Sequence, residues 1–526
     1  MRIENANVIT MRGRSERAST LEVHGDLITA VDGAAAADVV WDLEGRTVVP
    51  GFVDAHTHFH YWATTLDHLD MEPPLSLAEA LALVQARAAK VPSGHWVLGR
   101  GVNKNRWTPP DFPTRYDLDS VAPDHPVALF SKDEHSLWVN SAALRAAGVD
   151  RNTPDPPGGR IGRDESGEPT GLLFETAYEL IWSRIDEPDP ADTIAALSQA
   201  AALVSPLGVT SVHDVGMWGA WEAYRLWDDR ALDVVKYFPV DKAEEVVRLG
   251  LRSGDGNPEL RIGGLKLFSD GALGSQTAYM WEPFEGPESG TGVARLTSHE
   301  LREYLDFAVA HELACAVHAI GDRANSMVID SALAYRARPL RHRVEHAQLL
   351  READVGRLAD SGWIASVQPS HLVSDRDMAL RYWGEKRCRH AYAFESMRRA
   401  GVPLAFGTDV PIEPVNPIFG IYAACCRKSP DDSRGAWVSE ECVDRYDALH
   451  ATTAGAAYAA GIESEVGTIA PGQRANLVVL DRDILSVPDT EILSVQVLAT
   501  IVGGRPVYVN SAAAPDLAET IGSTAV

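Results

Sequence analysis

Eight short, β-branched apolar runs, each ending in polar residues and separated by helical stretches, constrain this chain most. They are GFVDAHTH at 51–58, GVTSVHDVG, LDVVKYF, IGGLKLFSDG, LACAVHAIGD, HRVEHAQ, WIASVQP and PLAFGTDVP at 403–411. Strands of this kind alternating with helices such as SHELREYLDFAVAHE form a parallel α/β array, in which each strand is covered on both faces. Eight of them close most economically into a (β/α)8 barrel. The polar residues gathered at the strand ends are what a barrel with one functional face requires, and a doubly wound sheet leaves them unexplained. The expected fold is therefore α/β, with a (β/α)8 TIM-like barrel over residues 51–463.

The two ends read differently from the middle. LEVHGDLITAVDG and VVWDLEGRTVVPG near the start, and GTIAPGQRANLVVLDRDIL and LATIVGGRPVYVN near the end, are apolar runs bounded by Gly-containing turns. Residues 1–50 and 464–526 are thus expected to meet in one small β-sandwich domain. The first two barrel strands are separated by about residues 61–208, far more than a crossover needs, so a large insertion follows the first strand. It carries a helix signalled by Ser76 and Glu79 as a capping box, and a Trp- and Pro-rich stretch, HWVLGRGVNKNRWTPPDFPTR. An insertion over a barrel mouth shapes access to the site.

Charge narrows the partners. With 48 Lys+Arg against 74 Asp+Glu, the formal charge of -26 over 526 residues excludes a polyanion, so no nucleic acid is expected. The opening MRIENANVIT lacks the basic-then-apolar order of a secretion signal, and the Ala-rich stretches are too short and polar to span a bilayer. The expectation is a cytoplasmic protein with a small-molecule substrate and no membrane partner; homo-oligomerisation is left open. Cys315, Cys388, Cys425, Cys426 and Cys442 show no CxxC spacing, so neither a disulfide framework nor a thiolate zinc site is indicated.

His56 and His58, at i and i+2 on a strand, point the same way, and a bent strand end lets both reach one metal ion. His318 and His346 each close a later apolar run, and Asp409 closes the last. All would gather at the C-terminal face of the barrel.

His56-x-His58, Lys266 at the fourth strand, His318 at the fifth, His346 at the sixth and Asp409 at the eighth resemble the full ligand set of the amidohydrolase superfamily. HSLWVNSAAL, GGLKLFSDGALGSQTA, VHAIGDRAN, HRVEHAQ and FGTDVPI resemble its amidohydrolase 3 branch, which includes the N-substituted formamide deformylases. The resemblance implies a metal-dependent hydrolase that cleaves a C–N bond, amide or N-formyl in type, with a metal-activated hydroxide. It implies one or two divalent ions, zinc first. In the two-metal version His56, His58 and Asp409 hold one ion and His318 with His346 the other, bridged by a carbamate formed on Lys266. It also implies that Asp409 acts as general base and then general acid. An esterase, lactonase or deaminase on the same site is the nearest alternative, and a catalytically silent binding protein with this fold is the alternative from another class.

Around this set stand residues of lesser weight. His60 continues the alternation of His56 and His58 and lines the mouth. His213 and Asp214 end the second strand as candidates to orient a ligand imidazole. His135 and Glu175, in the insertion, are similar to family segments and are expected to face the pocket, and His371 is a candidate for a substrate hydrogen bond. Two stretches depart from the branch: Glu134 stands where glycine is common, and Asn103, Lys104, Asn105 and Arg106 replace a more aromatic run. Both predict a more polar pocket than the formamide enzymes have.

Overall fold

The computed structural model describes all residues except 34–36, 38, 186–188, 217–218, 229, 287–289, 337–339 and 523–526. All eight runs form strands: β1 (Phe52–Thr57), β2 (Val209–Asp214), β3 (Asp233–Pro239), β4 (Leu260–Phe268), β5 (Ala314–Ala319), β6 (Arg343–His346), β7 (Ile364–Val367) and β8 (Leu404–Phe406). They pair in parallel, in chain order, as one TIM-like barrel sheet. Nearly every residue on them is buried, as strands enclosed on both faces must be.

The seam between β8 and β1 is bridged just beyond the strand ends. The Asp409 N–H donates to the His56 carbonyl at 2.7 Å, and the His58 N–H to the Val410 carbonyl at 2.8 Å. The buried Asp54 carboxylate accepts from the Thr408 amide at 2.8 Å and its hydroxyl at 2.6 Å. Here the backbones lie so close that a Cβ on Gly407 would stand 2.4 Å from the His56 nitrogen, which is why this position needs glycine. The geometry that closes the sheet thus also sets Asp409 beside His56.

Helices cover the barrel through ordinary amphipathic spacing. In Ser298–Ala310, Leu301, Leu305 and Ala308 face inward, and Thr297 with Glu300 forms a reciprocal capping box worth about 1 kcal/mol. The helix signalled by Ser76 spans Leu77–Ala88. Ser76 accepts from the Glu79 amide, while the Glu79 carboxylate reaches the amide of Leu75 instead of that of Ser76.

The chain ends meet in one six-stranded sheet. Thr47–Pro50 runs parallel to Asn7–Ile9 and antiparallel to Leu477–Leu480, and Gly51 leads from it straight into β1. A four-stranded sheet from the first 42 residues packs on it through Ile3, Leu21, Trp41, Leu477 and Val479. Arg474 and Asn476 tie these sheets to the barrel by bonding Asp233 at the start of β3.

Between β1 and β2 the chain builds a separate six-stranded sheet from Leu69 to Glu175, with its own apolar core around Val97, Leu129 and Trp138. The turn 131–136 of this sheet reaches over the barrel mouth. Lys132 pairs there with Glu72 at 2.9 Å and with Glu413 of the β8 loop at 3.3 Å. No helix among the described residues is long and apolar enough to cross a membrane.

Candidate metal centre

At the C-terminal end of the barrel, Asp409 is the hub of an imidazole cluster. One of its oxygens, Oδ1, lies 3.4 Å from His56 Nε2 and 3.3 Å from His58 Nε2. The other, Oδ2, lies 3.5 Å from His371 Nε2 and 3.8 Å from His346 Nδ1. Two three-residue groups, His56–His58–Asp409 and His346–His371–Asp409, each bring their ligand atoms within 4.8 Å of one another. Asp409 belongs to both.

The chemistry of the donor set fits a cation. His56 Nε2, His346 Nδ1, His371 Nε2, Asp409 Oδ1 and Lys266 Nζ are all buried and have no hydrogen-bond partner among the described residues. Unpartnered polar atoms of this kind are costly when scattered, and here the His56 and His346 nitrogens both lie against Asp409. Burial drives the imidazoles of His56 and His346 well below the ordinary histidine value, keeping them neutral with a lone pair to offer. For Asp409 burial acts in the opposite sense, but His56, His58 and His371 outweigh it and hold its carboxyl below the usual carboxylate range.

The backbone is strained at two of these positions. His346 has φ +70° and Asp409 has φ +64°, a left-handed conformation that costs a non-glycine residue about 1–2 kcal/mol. At His346 the effect is concrete. Strict alternation would send Glu345 and His346 to opposite faces of β6, whereas the reversal at His346 lets both work inside the barrel.

Glu345 is the main residue that sequence reasoning misses. Its Oε2 lies 2.5 Å from His56 Nδ1, and its Oε1 accepts from Arg343 Nε at 2.7 Å. A carboxylate only accepts, so the His56 proton sits on Nδ1 and the Nε2 lone pair faces Asp409. Asp54 is a second missed residue. It sits two positions before His56 on the same strand face, the only signal in the sequence that could have marked it.

The remaining anticipated residues separate into three groups. Lys266 is 2% exposed, and burial lowers its ammonium to about 8, against the pull of Glu345 and Asp409. It forms no pair with Asp270, whose carboxylate accepts the amides of Tyr279, Ile320 and Gly321. His318 stands beside the cluster, its ring 4.5 Å from that of His346, with Nε2 donating to the Gly271 carbonyl at 3.0 Å. His371 accepts at Nδ1 from the Gln348 amide at 3.1 Å, which leaves its own proton on Nε2, facing Asp409.

The second group comprises His60 and His135, both on the wall of a cavity of about 430 Å³ above the cluster. The third does not reach that wall. Glu175 lies behind His135, holding its Nδ1 at 3.0 Å, and His213 is fully buried beneath the cluster with Nδ1 accepting from Arg343 at 2.9 Å. The pocket-facing role expected of Glu175 is thereby corrected: it supports His135, while His213 bonds Arg343, which in turn binds Glu345 behind His56. Asp214 binds Lys236 at 3.1 Å and Tyr224 at 2.9 Å. Of the polar run, Asn103, Lys104 and Asn105 line the cavity, as does Glu134.

The comparisons with known proteins agree with this geometry. The amidohydrolase family model matches residues 39–508. YtcJ of Bacillus subtilis (strain 168) is 33% identical over 483 residues, 89% of this chain and 90% of that protein. An N-substituted formamide deformylase of Arthrobacter pascens is 32% identical over 540 residues, 95% of this chain and 97% of that protein. Among solved structures, an uncharacterized metal-dependent hydrolase from Pyrococcus horikoshii OT3 is similar with a TM-score of 0.76 at 26% identity, over 93% of this chain and 98% of that one. Since these matches run through the terminal sheets, the barrel and the histidine cluster at its mouth, the chain belongs to the amidohydrolase family, whose members and neighbours support hydrolysis that depends on a divalent metal.

Proposed function

We propose that the protein is a metal-dependent hydrolase that cleaves a C–N bond, amide or N-formyl in type, in a small molecule. The observation that carries this reading is the approach of His56 Nε2, His58 Nε2 and His346 Nδ1 to the Asp409 carboxylate, with His58, His346, Asp409 and the buried Lys266 lining one cavity. The full-length similarity to an N-substituted formamide deformylase favours the C–N bond over an ester or lactone. His56, His58, Lys266, His318, His346 and Asp409 would hold one or two divalent ions, with zinc the first to try.

When bound, such an ion supplies Lewis acidity, polarising a scissile carbonyl and acidifying water. The protein's own groups do the rest. Glu345 keeps the His56 proton on Nδ1, so Nε2 stays a ligand. Lys266, with a lowered pKa, has a neutral fraction whose Nζ can add to carbon dioxide, losing a proton and gaining a carbamate with two oxygens. Asp409, ionised and held between four imidazoles, takes the proton of the attacking water and returns it to the leaving nitrogen. His371, with its proton on Nε2, is placed to donate to substrate.

This reading treats residues 1–50 and 464–526 as one β-sandwich unit and 51–463 as the catalytic unit. It places the protein in the cytoplasm. A screen of N-formyl amines, acyl amides, esters and lactones with zinc- or manganese-loaded protein tests the function. Turnover confined to esters or lactones would replace the C–N assignment, and a protein that neither binds a divalent ion nor turns over any of them overturns the enzyme reading.

A further inference from the structure

The turn that carries the insertion over the mouth contains a residue whose backbone is strained without any local reason. Glu134 has φ +58°, and its amide closes a tight turn to the Ser131 carbonyl at 3.0 Å. Glycine would hold this conformation free of strain, and glutamate has no short side chain to bond its own backbone there. What the chain obtains is the position of the carboxyl, which reaches the cavity wall and accepts the Tyr61 hydroxyl at 2.9 Å.

Around that carboxyl the wall is aromatic. The Tyr61 ring lies 6.4 Å from Phe130 and 6.3 Å from Trp182, and Phe130 lies 5.2 Å from Tyr178 and 5.0 Å from Trp182. All four line the same cavity. Among the described residues Glu134 forms no ion pair. Of the nearby cations, Lys132 is paired with Glu72 and Glu413, while Arg100 and His135 act on the Glu134 carboxyl only from beyond ion-pair distance. A carboxylate has about four acceptor positions, and one donor is present.

An alkyl or aryl group alone would leave this carboxyl desolvated and unpaired, and a hydroxyl would satisfy it with one neutral bond. An ammonium group satisfies both parts of the recess, the carboxylate by a charge-assisted hydrogen bond and the ring faces by cation–π attraction. We propose that Tyr61, Phe130, Tyr178, Trp182 and Glu134 form an amine-binding subsite, which selects substrates whose scissile bond is joined to a group ending in a protonated amine. Burial pushes the Glu134 carboxyl up to about 8, and an entering cation draws it back toward ionisation. The selection of a substrate rests on the hydrolase reading; the subsite itself does not.

The test is therefore a binding measurement. Benzylamine, protonated at neutral pH, and benzyl alcohol are titrated calorimetrically into metal-loaded wild type and into Glu134→Gln. The wild type is expected to bind benzylamine about tenfold or more tighter than benzyl alcohol, and the ratio to fall to about one in Glu134→Gln. Equal affinities in the wild type, a ratio unchanged by the substitution, or no binding of either compound overturns the subsite. A collapsed ratio in the variant combined with absence of any amide turnover sinks the hydrolase reading alone; intact turnover with a wild-type ratio of one sinks the subsite alone.

Discussion

Glu345 holds His56 from beneath, with Oε2 2.5 Å from Nδ1, while its other oxygen is bound by Arg343. This one contact settles the tautomer of a candidate ligand that lies 289 residues away in the chain. Glu345→Gln keeps the shape and removes the charge. We expect divalent-metal affinity to fall about 10- to 100-fold, with a loss of about 1–3 kcal/mol of stability from the weakened Arg343 bond. Metal titration against a competing chelator measures it, and an unchanged dissociation constant rules out the positioning role.

Asp409→Asn tests the proton shuttle. Asparagine tolerates the left-handed backbone at this position, so the fold should survive. The expected loss is about 10²- to 10⁴-fold in kcat, measured on whichever substrate the screen identifies. A loss below tenfold, at full metal loading, removes Asp409 from the proton transfer.

Lys266→Met should move stability and activity in opposite directions. Among the described residues the lysine buries an amine with no hydrogen-bond partner, only a cation–π contact with Phe268 at 4.8 Å, and methionine fills the space without that cost. The metal-free variant should unfold about 1–3 kcal/mol later than metal-free wild type, while the metal-loaded variant loses hydrolysis. Denaturant melts of both forms would show it; a less stable metal-free variant means that the ammonium has an unrecognised partner.

Removing metal should cost both activity and stability. A ligand that binds only the folded state stabilises by about 4 kcal/mol at a thousandfold excess over its dissociation constant. Dialysis against a chelator should lower the melting temperature, and added zinc or manganese should restore it together with turnover. Chelated protein that melts and reacts as before contradicts a metal centre.

The Glu134 carboxyl gives a pH signature. Its folded value is raised, from an ordinary 4.5 to about 8, by burial. The stability it contributes is therefore fully present below 4.5 and is lost as the pH rises through about 8. Glu134→Gln lacks this loss, so its melting temperature relative to wild type should climb across that window. Parallel melting curves at every pH would show that the carboxyl titrates normally in the folded protein.

The barrel was legible because each strand announces itself locally, by an apolar run and a polar end. The positions of His56, His58, His346 and Asp409 followed from the same pattern, since a parallel barrel brings all strand ends to one face. Glu345 escaped notice because strand alternation points it away from His346; only the reversed backbone at His346 brings both inside. His371 and Glu175 were visible as residues while their partners were not. Gln348 orients the one, and the other serves His135 from behind.

By itself, the sequence determined which segments become strands and which side chains are candidate metal ligands, because both depend on short-range pattern and residue type. Tertiary structure alone decided the contacts across the seam, such as Asp54 with Thr408, 354 residues apart. It also decided which buried atoms are left without partners and which carboxyls face the cavity. Those outcomes depend on how the closed barrel and the insertion bring distant backbones together and on a few strained φ angles, and no local periodicity encodes them.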